Sequence, residues 1–551
     1  LQQFRIKAPN ILLQMLLRGA NAVGYTSYPD NVVKEFIHLA AKNGVDVFRI
    51  FDSLNGLDNM RLSIDTVREC NKVAEAALCY TGDILDPRRD KYDLKYYVDM
   101  AKELAAAGAN IIAIKDMAGL LKPEASYRLV SALKDAVDLP IHLHTHEGSG
   151  NAIYTYARAV DAGVDIVDTA MSAMSCGTSQ PSGSSLYYAL SGHPRQPRVD
   201  VDAMNELSRY WETVRPYYKA ADQTELFPNP EVYVHEMPGG QYTNLKQQAT
   251  ALGLIERWEE VKDMYHRVSM MFGDLIKVTP SSKIVGDMAL FMVQNDLSEE
   301  DIYAKGDVLD FPASVVEFFE GRIGVPYQGF PQKLQQIVLK GRKPLEGRPG
   351  DTLPPVNFEE IKAKLAELEA PITEEAVSSY CLYPKVFTDW VKRVHDFGDV
   401  SVLDTPTFFF GMKIGEEIKV EIEQGKMLVI KLVHIGEANA DGIRTVSFEF
   451  NGLPREIDIK DRNVKATNIS RKKADKANQG EIGATLSGSV VKVLVEKGQA
   501  VTKGTPLVVT EAMKMETTIA APISGIVAQI HVTAGNRIES GDCLLEIELK
   551  A

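Results

Sequence analysis

The runs ANIIAIK at residues 109–115 and LPIHLHTH at 139–146 decide the reading of the fold. Both are short and apolar, and the second starts about 30 residues after the first, the period of a repeated strand–helix unit that builds a parallel sheet. Working outward, ILLQML at 11–16, VDVFRIF at 45–51, AALCYTG at 76–82 and VDIVDTA at 164–170 continue the series. Between them lie helical stretches such as NVVKEFIHLAAKNG and DLKYYVDMAKELAAAGA, each closing on the glycine expected at a helix C-terminus. Six such units fit an open doubly wound sheet or a (β/α)8 barrel without its first two strands. No glycine-rich phosphate loop follows the first run, which favours the barrel.

A chain of 551 residues exceeds what one core can organise, so several domains are expected. Its 45% hydrophobic and 25% charged residues are ordinary for a soluble protein, and no apolar run reaches the ~20 residues of a membrane span. A formal charge of −14, without a long basic stretch, argues against nucleic acid as a partner. Cys70, Cys79, Cys176, Cys381 and Cys543 are scattered, which speaks against a disulfide framework or thiolate metal site and for a reducing compartment. The opening LQQFRIKAPN has no signal-peptide pattern and reads as a cut front, so a bacterial cytoplasmic setting is expected and a mitochondrial one stays open.

Residues 175–400 read as mostly helical. EEIKVEIE, KMLVIKLVHIG and RTVSFEFNG, within 404–460, alternate as strands. The stretch 462–482 is polar and lysine-rich, as a solvated linker should be. The last 68 residues repeat without gaps at an offset of 37: Ser487-Gly488 matches Ser524-Gly525, Gly498 matches Gly535, and Gly504 matches Gly541. Two similar β halves follow, with Lys514 in TEAMKMETT where the first turns over into the second.

Three motifs carry chemistry. Glu511-Ala512-Met513-Lys514-Met515 displays one lysine on an expected hairpin; taken alone it is also compatible with an ordinary exposed lysine. In His142-Leu143-His144-Thr145-His146, residues two apart on a strand share a face, so His144 and His146 can reach one metal ion, with His142 further down the same side. A surface strand with satisfied histidines is the plain alternative. In Ile114-Lys115-Asp116-Met117-Ala118-Gly119, the lysine ends an apolar strand, where a charged amine beside a cation must shed its proton, pair or be modified.

The lysine flanked by methionines resembles the attachment site of biotin carboxyl carrier domains. IKDMAG followed by HLHTH resembles pyruvate carboxylase, as do LLRGANAVGY, FRIFDS, KVTPSSK, HEMPGGQYTNL at 235–245 and LDTPTFFFGM at 403–412. The resemblance implies covalent biotin on Lys514 and a carbamate on Lys115 that, with His144 and His146, binds a divalent metal, Mn or Zn. It also gives Arg18 the pyruvate carboxylate, Tyr25 and Asp52 places in the catalytic pocket, Thr279 a proton shuttle between the pyruvate methyl group and biotin, and Ser282 and Lys283 the biotin pocket. By themselves, Arg18 reads as a salt-bridge residue, Tyr25 as a packed aromatic and Thr279 as a turn threonine before proline. Two departures stand out: Glu147-Gly148 replaces the more usual Asp-Thr after His146, and the family's first-strand motif, with its aspartate metal ligand and pyruvate-binding glutamine, has no counterpart.

The expectation is therefore a multidomain α/β protein. An incomplete (β/α)8 TIM barrel with a helical C-terminal extension occupies residues 1–400, its strands 3–8 reaching about 235. A small α+β allosteric and tetramerisation region follows at 401–465, then a linker at 466–482 and an all-β biotinyl domain of flattened-barrel type at 483–551. The implied activity is carboxyl transfer from carboxybiotin to pyruvate, giving oxaloacetate, with ATP and Mg used by a biotin carboxylase domain that this chain lacks. The implied partners are a biotin protein ligase, three further copies in a homotetramer, and an acyl-CoA or nucleotide effector. The carboxyltransferase subunit of an oxaloacetate decarboxylase or transcarboxylase, and a non-catalytic carrier or assembly fragment, are the competing readings. Coexpression with a biotin ligase should give a product that shifts on streptavidin, and Lys514→Ala should abolish the shift; a persisting shift would take the carrier role from Lys514.

Overall fold

The computed structural model describes residues 1–219, 222, 227–438, 442–461, 472–475, 478–512 and 515–548. Its centre is a six-stranded parallel sheet: β1 (Gln14–Leu17), β2 (Val47–Ile50), β3 (Val73–Cys79), β4 (Ile111–Asp116), β5 (Ile141–Thr145) and β6 (Ile166–Val167). The strands lie in sequence order, each bonded to the next. Winding in one direction without reversal is that of a barrel wall and excludes the doubly wound alternative. Helices Asp30–Lys42, Leu57–Glu69, Leu94–Ala106, Pro123–Ala136 and Ala152–Asp161 cover the outside. Gly44 and Gly108, at φ +111° and +96°, turn the chain from helix back towards the next strand.

Three strands depart from the sequence expectation: β1 begins three residues late, at Gln14 rather than Ile11. β3 begins three residues early because Val73 and Ala74 already pair with Val47 and Phe48 of β2. β6 keeps only two residues, since beyond Val167 the chain bonds sideways, Ala170 N–H donating to Pro181 O at 2.9 Å.

Residues 232–397 form the helical extension. Its core contains Trp258, Tyr265, Phe272, Met288, Phe318 and Phe319, and it interlocks with the barrel. Leu54, from the loop after β2, is buried in the extension's core, whereas Ile276 and Val278 are buried in the barrel's. Between 416 and 461, four antiparallel strands run as a meander: β7 (Glu417–Glu423), β8 (Lys426–Ile435), β9 (Ile443–Phe450) and β10 (Leu453–Lys460). β10 is an edge strand exposed along its whole length; Ile457 and Ile459 alternate with Asp458 and Lys460, but Pro454 near its start reads as a strand breaker, and the sequence reading passed over it.

The C-terminal sandwich consists of two four-stranded sheets. Its strands obey the repeat: Gly488–Val493 corresponds to Gly525–Ile530, Ala500–Val501 to Arg537–Ile538, and both Gly504 and Gly541 have φ near +90° or +82°. Strands Pro506–Ala512 and Met515–Ala520 pair with each other, Ala512 opposite Met515. Lys514 falls between them, outside the described residues. The sandwich rests on the extension, with Leu252 against Leu486 and Lys385 Nζ 3.6 Å from Glu511 Oε2.

Because Leu54 joins the two larger cores, Leu54→Ala should cost about 2–5 kcal/mol, the range for truncating a buried leucine. Urea unfolding followed by helical circular dichroism should show the lowered midpoint; an unchanged one would mean that the interlock carries little stability.

Candidate active site

The C-terminal ends of β4 and β5 carry the reactive cluster. Lys115 pairs in register with His144. Its side chain is 6% exposed, with Nζ 5.2 Å from the centre of the Phe51 ring, and among the described residues it has neither a hydrogen bond nor an ion pair. Burial, assisted by the positive charges of Arg49 and Arg18, lowers its pKa to about 8. A useful share of neutral amine therefore exists near neutrality, the form able to attack CO₂ and become a carbamate.

His144 Nδ1 lies 2.8 Å from Asp168 Oδ2, and His146 Nδ1 lies 2.6 Å from the Thr178 carbonyl oxygen. Both partners only accept, so each Nδ1 carries its proton and each Nε2 presents a lone pair. The two Nε2 atoms face one another at 3.2 Å. Burial lowers His144 to about 3 and His146 to about 4, so both rings are neutral at physiological pH. Two lone pairs pointed at one spot, 3.2 Å apart, suit a shared divalent ion bound at about 2.0–2.1 Å from each nitrogen. Lys115, as a carbamate, would add an oxygen ligand, so the residues present fit a metal.

Below this cluster lies a group that sequence reasoning missed. Arg49 bonds Glu75 and Asp168, and His142 bonds Glu75 Oε2 and Asp168 Oδ1, each at 2.9 Å. Burial opposes a charged His142, yet its bonds to Asp168 and Glu75 outweigh burial and raise its pKa. Burial would likewise raise Asp168, but His142, His144 and Arg49 hold it far below the usual carboxylate range. Both ring nitrogens of His142 face carboxylate oxygens, which only accept, so both carry protons and this histidine is a charged strut, while Asp168 fixes the tautomer of His144. The available signal was a charge within each apolar run: Arg49 in VDVFRIF, Glu75 just before AALCYTG, and Asp168 in VDIVDTA.

At the end of β1, Arg18 donates from Nη1 to Val23 O at 2.5 Å, while its buried Nε has no partner among the described residues. Tyr25 is 45% exposed, its ring 6.0 Å from the Arg18 guanidinium carbon. Asp52 is fully occupied: Oδ2 accepts from Leu54 N–H at 2.8 Å and Gly56 N–H at 2.9 Å, and Oδ1 from Asn59 Nδ2 at 3.0 Å. Its carboxylate therefore shapes the loop after β2. Ser281 Oγ, 3.4 Å from Ser53 O, brings the Thr279 segment against that loop, and Thr279 itself is half-buried. Ser282 Oγ is buried without a partner among the described residues, whereas Lys283 Nζ is bound to Asp287 at 2.5 Å. Glu147, at one departure from the family pattern, accepts from Ala152 N–H at 3.2 Å and so caps the next helix.

Matches to known proteins cover this architecture from end to end. An HMGL-like family model matches residues 29–210, a conserved carboxylase domain 232–431, and a biotin-requiring enzyme model 476–547. These describe a biotin-linked carboxylase built on a barrel. The carboxyl transferase domain of Rhizobium etli pyruvate carboxylase, solved with pyruvate and biocytin, superposes with a TM-score of 0.80 at 52% identity, covering 84% of this chain and 78% of that one. Pyruvate carboxylase of Bacillus subtilis is 59% identical over 549 residues and that of Staphylococcus aureus 55% over 550, in each case across 100% of this chain and 48% of the relative. The chain belongs to the pyruvate carboxylase family, and it spans about half the length of the curated relatives it matches.

In full-length protein, roughly one divalent ion per subunit is expected for a single site of this kind. His144→Ala should empty it, and Asp168→Ala, which frees the His144 ring, should weaken metal binding about 10- to 100-fold in chelator competition. Undiminished metal content in His144→Ala would remove the histidine from the site.

Proposed function

We propose that this chain transfers a carboxyl group from carboxybiotin to pyruvate, giving oxaloacetate, within an ATP- and bicarbonate-dependent enzyme. The observation that carries the reading is the pair of neutral histidine nitrogens 3.2 Å apart beside the solitary amine of Lys115. A divalent metal on His144, His146 and carboxylated Lys115 would supply Lewis acidity to the pyruvate carbonyl. Arg18 receives the carboxylate, for which its unpartnered Nε is an available donor, and Tyr25 borders it. Asp52 holds the intervening loop in shape. Thr279 moves the proton from the pyruvate methyl group to the ureido nitrogen of biotin, whose pocket includes Ser282 and Lys283. The unpartnered hydroxyl of Ser282 supports that placement, while Lys283 would have to loosen its bond to Asp287 to reach a ligand.

Biotin is placed on Lys514, supported by the biotin-requiring model over 476–547 and by the strand pairing on either side of the motif. We assign residues 1–400 to the carboxyltransferase unit, 401–465 to the allosteric and tetramerisation region, 466–482 to the linker and 483–551 to the carrier. Phe408, Phe409 and Phe410, each about half exposed, support contacts between copies in a homotetramer, with an acyl-CoA or nucleotide as effector. No described helix is long and apolar enough to cross a membrane. The five free cysteines favour a reducing compartment, for which we propose the bacterial cytoplasm.

Positioned proton transfer contributes about 10²- to 10⁴-fold, so Thr279→Ala in the full-length enzyme should slow oxaloacetate synthesis by that order while Thr279→Ser retains activity. Bicarbonate-driven ATP cleavage should survive in both variants. Normal transfer by Thr279→Ala would return Thr279 to the part of a turn residue.

A further inference from the structure

Thr279 lies two residues after Lys277, whose ammonium lies at the junction of barrel and extension with 1% exposure. Lys277 Nζ is 2.9 Å from Glu236 Oε2, and it donates to Leu275 O at 3.0 Å and Ser269 Oγ at 3.2 Å. The other oxygen of Glu236 binds Arg89, whose Nη2 also reaches Asp274 at 3.0 Å. Burial would push the Glu236 carboxyl up, but Lys277 and Arg89 bring it down to about 2.

Two features make this more than a buried ion pair. Glu236 adopts φ +54°, a left-handed conformation that residues with a Cβ avoid unless their surroundings impose it. Three residues on, Gly239 donates its N–H to Met117 O at 3.1 Å, and a Cβ there would stand 2.6 Å from Thr178 O and 3.0 Å from His146 Nδ1. The Glu236–Gly239 segment thus touches the Thr178–His146 pair at one end and, through the carboxylate, the base of Thr279 at the other. A buried ion pair is a weak source of stability compared with apolar residues of similar volume.

We propose that Glu236 and Lys277 form a positioning pair that sets the distance between Thr279 and His146. The pair acts through Thr279 and touches no reacting atom. The inference rests on the proton-transfer role proposed for Thr279. Displacing a reacting group by about 1 Å costs on the order of 10²-fold, so Lys277→Met should lower kcat for oxaloacetate synthesis about 10- to 100-fold. The KM for pyruvate should stay within about twofold, since ground-state binding is untouched. Bicarbonate-driven ATP cleavage should be unchanged, and Lys277→Arg should restore much of the loss.

The deciding measurement is a coupling. If Lys277 acts through Thr279, Lys277→Met added to Thr279→Ala should slow the enzyme no further than Thr279→Ala alone. Glu236→Leu with Lys277→Met removes both charges, leaves no ion unpaired in the pair, and should be folded but slow. The inference is overturned if the Lys277→Met loss multiplies onto Thr279→Ala, or if the double apolar variant keeps full kcat. Full activity of Thr279→Ala itself would sink the proton-transfer reading first, and the positioning role with it.

Discussion

Four charges buried beneath the reactive cluster, on Arg49, Glu75, His142 and Asp168, constrain everything above them. They come from four of the six strands or their ends, and their two positive and two negative groups balance only when the strands hold their observed register. Removing one partner would leave a charge without compensation in a poorly solvated space, at about 3–5 kcal/mol. Asp168 joins this cluster to His144, so the same charge balance also fixes which ring nitrogen faces His146. Charge compensation and the geometry of the histidine pair are therefore coupled through one carboxylate.

The chemistry above exploits the opposite condition. Among the described residues Lys115 has no partner and Arg18 retains an unsatisfied donor, while His144 and His146 are held neutral by burial. Such groups carry a cost, because a buried polar atom without a bond forfeits its hydration. Their clustering at strand ends is how a barrel separates a charge-balanced floor from a reactive rim.

Much of this was legible in the sequence because its signals were periodic. Apolar runs about 30 residues apart specified the parallel sheet, alternating histidines specified a shared face, and the offset of 37 located both halves of the sandwich. What stayed hidden lacks local periodicity. Glu236 and Lys277 are 41 positions apart and look like ordinary surface charges until the fold buries them together. Asp168 sits inside an otherwise apolar run and Glu75 just before one, where they could have been noticed, but their partners depend on register. β10 carries a short alternation of Ile457 and Ile459 with Asp458 and Lys460, which Pro454 masked.

The exchange of residues between the two larger cores bears on modularity. Leu54 is surrendered by the barrel to the extension, and Ile276 and Val278 by the extension to the barrel, so neither body is whole by itself. Recombination that separated them would expose both interiors, and the pair can be inherited only as a block. The C-terminal sandwich, by contrast, closes its own core from Ile482 to Ile547. It is the part that gene fusion can exchange, splice or duplicate while the barrel and its extension stay intact.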